Sequence, residues 1–146
     1  MGRRLTVSTA LLLTAGALVL GCSSTSGDPA AAIGTTMSSS AAVTLVDPTR
    51  ALALAAQQGT TVIDVRTPDE YAAGHLAGAV NIDVSADTFA DQVSNLDPAA
   101  SYVVYCRSGA RSAAAAAQMA DLGFTDIADA GPLTGLTDAG GATEIG

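Results

Sequence analysis

The run Cys106-Arg107-Ser108-Gly109-Ala110-Arg111 gathers a thiol, two guanidinium groups and a conformationally free glycine into six residues. It follows a short apolar stretch, Tyr102 to Tyr105, that reads as a buried strand, and precedes an Ala-rich stretch, Ser112 to Leu122, that reads as a helix closed by Gly123. A loop so placed turns backbone N–H groups inward at the positive end of a helix dipole, which makes a concave anion site. The same field favours thiolate over thiol. With Arg107 and Arg111 beside it, Cys106 is expected to titrate below its ordinary value and to act as a nucleophile. Gly109 supplies the backbone freedom that a tight cradle needs. The candidate site is therefore Cys106 as the reacting sulfur, with Arg107, Ser108, Gly109, Ala110 and Arg111 as the substrate-binding cradle. The plainer alternative is an inert thiol packed as a small hydrophobe, and two flanking arginines and a glycine argue against it.

The elements that must position this loop are legible upstream. Val43 to Val46 is a short strand candidate; Asp47 then caps a helix with Pro48 at its first position, running to about Gln58 and stopped by Gly59. Thr61 to Val65 is a β-branched run typical of a buried parallel strand. Thr67 and Glu70 form a capping box for a second helix, which Gly74 ends. Ala79 to Ile82 makes another short strand, Ser85 to about Ser94 a third helix, and Ile127-Ala128 a last strand. Strands alternate with helices, so the expected class is α/β: a sandwich with a mostly parallel central sheet of about five short strands flanked by helices. In such sheets ligands gather beyond the carboxyl ends of the strands. Two loops fit that place, the one after Val65 and the one carrying Cys106.

Length and composition bound the rest. The chain has 146 residues, 49% of them hydrophobic but only 3% aromatic and none Trp, which suits one domain with a core of small aliphatic contacts. Met1 to Cys22 reads as a secretory signal: Arg3 and Arg4, an apolar stretch from Leu11 to Leu20, then Val19-Leu20-Gly21-Cys22, similar to the lipobox of bacterial lipoproteins. Cys22 is then the lipidated residue, and the domain is anchored to a membrane on its extracytoplasmic side. An uncleaved anchor is the alternative, although the apolar run falls short of the ~20 residues of a span. Residues 23–42, rich in Ser, Thr, Gly and Ala, read as a flexible tether, residues 43–140 as the domain, and residues 141–146 as a C-terminal tail. The formal charge is −8; losing the signal leaves four arginines against 14 acidic residues, a formal −10. Such a surface excludes nucleic acid as a partner. A Cys22–Cys106 disulfide is possible by count, but the lipobox gives Cys22 its own use.

Three stretches together carry a family resemblance. Cys106 to Ser112 (Cys-Arg-Ser-Gly-Ala-Arg-Ser) resembles the active-site loop of single-domain rhodaneses. Val62-Ile63-Asp64-Val65-Arg66 and Glu70-Tyr71-x-x-Gly74-His75-Leu76-x-Gly78-Ala79-x-Asn81-Ile82 are similar to two other hallmark stretches, in the family's order and spacing over Val43 to Leu133. The resemblance implies a rhodanese-like three-layer sandwich and a sulfurtransferase. Its thiolate attacks the sulfane sulfur of a small anionic donor such as thiosulfate, forms a persulfide, and passes the sulfur to cyanide or a thiol. It also implies that Arg107 faces outward toward the donor, that Arg111 folds back to shape the loop, and that His75 is structural. Cysteine phosphatases place five residues between Cys and Arg; here four separate Cys106 from Arg111, a cradle sized for sulfur. The ending departs from the family, which often closes on Gly-Gly and a Trp: this chain reads Ala130-Gly131-Pro132-Leu133, closer to the small exported rhodaneses of the phage-shock type.

Other groups have two readings each. Asp64 and Arg66 end a strand at the ligand edge and support the site, or pair to fix neighbouring loops. His75, the only histidine, reads as a packing and hydrogen-bonding residue rather than a base. Asp69 and Glu70 read as first-turn helix acids. No His/Cys cluster has metal-ligand spacing and no Gly-rich phosphate loop follows the first strand, so neither a metal nor another cofactor is expected. A monomer is expected. Beside the sulfurtransferase stand a non-catalytic persulfide-carrying or redox-sensing module and, more weakly, a phosphatase or arsenate reductase.

Overall fold

The computed structural model describes residues 42–146. The signal segment, the lipobox cysteine Cys22 and all but the last residue of the tether lie outside the described residues.

Along the chain run β1 (Val43–Leu45), α1 (Pro48–Ala55), β2 (Thr60–Asp64), α2 (Pro68–Ala72), β3 (His75–Leu76), β4 (Val80–Asn81), α3 (Phe89–Val93), β5 (Ser101–Cys106), α4 (Ala110–Asp121), β6 (Asp126–Pro132), α5 (Leu133–Asp138) and β7 (Thr143–Glu144). The central sheet has the order β1-β6-β5-β2-β4, and every pairing in it is parallel. A parallel sheet needs helices on both faces, and the two cores supply them. On one face Ile63, Val65, Val104 and Cys106 pack with Phe89, Val93, Ala115 and Met119 of α3 and α4. On the other, Val62, Val103 and Tyr105 pack with Ala51 of α1 and Leu136 of α5. Strand alternation decides the allocation: Val103 and Tyr105 point one way, Val104 and Cys106 the other. The thiol therefore lies on the α4 side of the central strand.

Local signals start the first two helices as expected, although α1 ends at Ala55 rather than at about Gln58. Asp47 accepts from Arg50 N at 3.0 Å and Pro48 opens α1; Thr67 and Glu70 close a reciprocal capping box on α2. Elsewhere boundaries move for identifiable reasons. Helix α3 is shorter than expected, because Asp83 takes the Ser85 N–H at 2.8 Å and turns residues 83–88 out of helical geometry. Helix α4 begins two residues early, at Ala110, since Gly109 turns the chain at φ +94° directly after the thiol loop. Strand β6 runs seven residues rather than two, held between β1 and β5 despite Asp, Gly and Pro in its sequence. Helix α5 and the antiparallel pair β3–β7 were not expected at all. His75 pairs Glu144 and Leu76 pairs Thr143, so the segment read as a tail supplies a strand.

Candidate active site

Cys106 is the last residue of β5 and fully buried. The three residues after it reverse the chain into α4, and the Gly109 N–H returns to donate to Cys106 Sγ at 3.0 Å. A side chain at Gly109 meets one obstacle, the positive φ of +94°; a Cβ there would sit in ordinary contact with Gly131 and Pro132 of β6. Ser112, in the first turn of α4 and fully buried, donates its hydroxyl to Gly109 O at 2.9 Å. Burial pushes the Cys106 thiol up, but hydrogen bonds from the Ser112 N–H and hydroxyl and from the Ser108 and Gly109 N–H groups outweigh it, so the thiol is lowered below its ordinary value. The direction is the one expected, and so in part is the cause: N–H groups at the start of α4 lower it, with no arginine among the leading causes.

Those arginines are placed quite differently. Arg107 is exposed and makes no ion pair with the described residues. Arg111 is forked onto Glu70, with Nη1 to Oε2 at 2.7 Å and Nη2 to Oε1 at 2.9 Å. The Arg111 guanidinium holds the Glu70 carboxyl down at about 2. Glu70 is thus more than a first-turn acid: it ties α2 to the cradle on α4 across 41 residues of sequence, a pairing with no local signal. Of the remaining cradle residues, Ser108 and Ala110 are exposed and Gly109 half-buried.

Asp64 and Arg66 form a buried pair, Arg66 Nη2 to Asp64 Oδ2 at 2.6 Å. Arg66 also donates to Gly74 O at 2.7 Å, and Asn81 Nδ2 donates to the carbonyls of Asp64 at 3.0 Å and Arg66 at 2.8 Å. Both charges are spent on protein partners, and what they hold is the loop after β2, beside the thiol loop on the neighbouring strand. His75 is buried, stacked on Tyr71 at 3.6 Å, with Nδ1 2.9 Å from Tyr71 O and Nε2 3.4 Å from Glu144 Oε1. It joins α2 to β7 and sits apart from the cradle's contacts. Among the described residues no group of three His, Cys, Asp or Glu side chains is arranged to hold a metal ion. The sequence reading missed two contributors, Glu70 and Ser112. Ser112 lies in the thiol loop stretch itself; its burial and its bond to Gly109 O do not show there.

Chemically, the arrangement can hold a thiolate, and an anion one atom beyond it, on converging N–H groups. A model of the rhodanese-like domain matches residues 47–129, more than half of the chain. The thiosulfate sulfurtransferase GlpE of Pseudomonas entomophila is 40% identical over 82 residues, 56% of this chain and 72% of that protein. Among solved structures, a rhodanese-related protein of Thermoplasma volcanium is 29% identical with TM-score 0.54, covering 61% of this chain and 87% of that one. A rhodanese-like domain protein of Staphylococcus aureus is 25% identical with TM-score 0.57, covering 71% and 97%. Strand-to-helix thiol loop, parallel sheet and sequence agree, and the chain belongs to the rhodanese-like domain family.

Proposed function

We propose that this protein is a sulfurtransferase that carries sulfane sulfur as a Cys106 persulfide. The observation that carries the reading is the Gly109 N–H hydrogen bond to Cys106 Sγ inside a loop that lowers the thiol's pKa. In the first step the Cys106 thiolate attacks the outer sulfur of thiosulfate; the donor's S–S bond breaks and sulfite departs with its electron pair. The outer sulfur of the resulting persulfide then bears the negative charge, and the loop N–H groups face it as an oxyanion hole faces oxygen. In the second step cyanide or an acceptor thiolate takes the outer sulfur, and Cys106 leaves as a thiolate. Arg107, exposed and unpaired among the described residues, attracts the donor. The GlpE relatives, named as thiosulfate sulfurtransferases, support the donor class.

The Glu70–Arg111 fork weighs against a phosphatase, since the loop arginine is already bound to a carboxylate and the loop is one residue short. The lipobox at Cys22 supports export and a lipid anchor for a monomeric domain. The test is a thiosulfate:cyanide assay on the full chain beside Cys106→Ser. Thiocyanate from the wild type alone supports the reading, whereas equal production by both proteins overturns it. Sulfur gained on Cys106 with no turnover to any acceptor favours the persulfide-carrying module instead.

A further inference from the structure

Strand β6 inserts one residue relative to β5: Val104 pairs with Asp129 but Tyr105 pairs with Gly131, so Ala130 is the extra residue of a bulge. The next pair along is Cys106 with Pro132. Ile127 faces the core under α4, whereas Ala128 and Ala130 face the opposite core. Alternation therefore puts the Asp129 side chain on the α4 face, the face of Cys106. Asp129 is 5% exposed and makes no ion pair among the described residues, an expensive place for a carboxylate. Its Oδ1 accepts the Gly131 N–H at 3.0 Å across the bulge, where Gly131 turns at φ +69°. Gly131 and Pro132 in turn back the thiol loop: a Cβ on Gly109 would lie 3.7 Å from Gly131 Cα and 3.8 Å from Pro132 Cδ. Gly109 gives its N–H to Cys106 Sγ at 3.0 Å. A continuous series of contacts thus runs from the buried carboxylate to the sulfur.

We propose that Asp129 is a positioning residue for the thiol: by holding the Gly131 N–H it fixes the β6 bulge as the wall on which Gly109 seats, and so keeps the Gly109 N–H aimed at Sγ. Its use in turnover rests on the sulfurtransferase reading. A carboxylate that merely satisfies a bulge N–H is the alternative, and it predicts lost stability with the sulfur's ionisation unchanged.

The test follows the ultraviolet absorbance of the Cys106 thiolate against pH in the full chain, with Cys106→Ser subtracted. It compares wild type, Asp129→Asn, Asp129→Leu and Gly131→Ala. Asn keeps the acceptor oxygen and Leu, of nearly the same shape, lacks it, so their difference isolates the hydrogen bond to Gly131. Gly131→Ala adds a Cβ into open space but strains the same bulge through its positive φ, and it carries the comparison if the leucine variant does not fold. Weakening one hydrogen bond to a charged sulfur is expected to raise the titration midpoint by about one pH unit in the Leu and Ala variants, with Asn close to wild type. Charging by thiosulfate is then expected to be about threefold slower at a pH below both midpoints, since an about tenfold loss of thiolate is partly offset by its greater nucleophilicity. Coincident midpoints for Asn and Leu, or for Gly131→Ala and wild type where Leu does not fold, overturn the proposal. A wild type that takes no sulfur from thiosulfate removes the sulfurtransferase reading instead, and the titration still decides whether Asp129 positions the thiol.

Discussion

At Cys106 two forces oppose each other: burial disfavours the thiolate, and a convergent set of N–H and O–H donors favours it, with the donors ahead. The lowered pKa means that the thiolate, and with it the charging rate, persists below the ordinary thiol range and declines as pH falls through the folded value. That field says nothing about how a dianion is drawn in; of the two loop arginines Arg107 is exposed and without an ion pair among the described residues. Replacing it, Arg107→Ala, is expected to raise KM for thiosulfate about three- to tenfold while kcat stays within about twofold, an effect of local field rather than chemistry. Initial rates against thiosulfate concentration check this; an unchanged KM assigns donor capture to the backbone N–H groups alone. The identity of Cys106, and the need for Gly109 beside it, were legible from residue types and order. The engagement of Arg111 by Glu70 and the burial of Ser112 were not, because both depend on packing that juxtaposes α2, β5 and α4.

Elements α2 and α4 are joined by the Glu70–Arg111 fork, with both side chains only about a quarter exposed. The folded Glu70 carboxyl, held at about 2 against an ordinary 4.5, contributes stability that is complete above 4.5 and disappears as pH falls through about 2. Glu70→Gln is therefore expected to cost about 1 kcal/mol at neutral pH and nothing near pH 2. Denaturant midpoints of the two proteins across that range test this, and a gap that persists at the acid end assigns the loss to the capping box instead. Elements with strong local signals were readable: the Asp47-Pro48 and Thr67-Pro68 helix starts, the β-branched run of β2, the apolar run of β5. Strand β6 was not, beyond its Ile127-Ala128 kernel, since Asp129, Gly131 and Pro132 are poor strand formers held by pairing, Asp129 with β1 and β5 and the other two with β5 alone. Two-residue strands such as β3 and β7 carry no periodicity to read.

Taken as a whole, the parallel sheet brings the carboxyl ends of β2, β5 and β6 to one edge, where the buried Asp64–Arg66 pair steadies the loop neighbouring the thiol. The chain as a whole is acidic, with a formal charge of −8. Long-range repulsion of a dianionic donor is expected to make kcat/KM for thiosulfate rise about two- to fivefold as ionic strength goes from ~0.01 M to ~0.1 M. A decrease over that range instead shows that the local cation outweighs the global field. The α/β class and the edge that carries the site followed from the alternation of strands and helices, whereas the closing ribbon of β3 and β7 depends on contacts between distant segments. The most direct test of the whole account is the intact mass of the full chain after thiosulfate treatment and again after cyanide. The account predicts one sulfur atom gained on Cys106, lost on adding cyanide with thiocyanate released, and no gain in Cys106→Ser. No gain in the wild type, or the same gain in the variant, contradicts it.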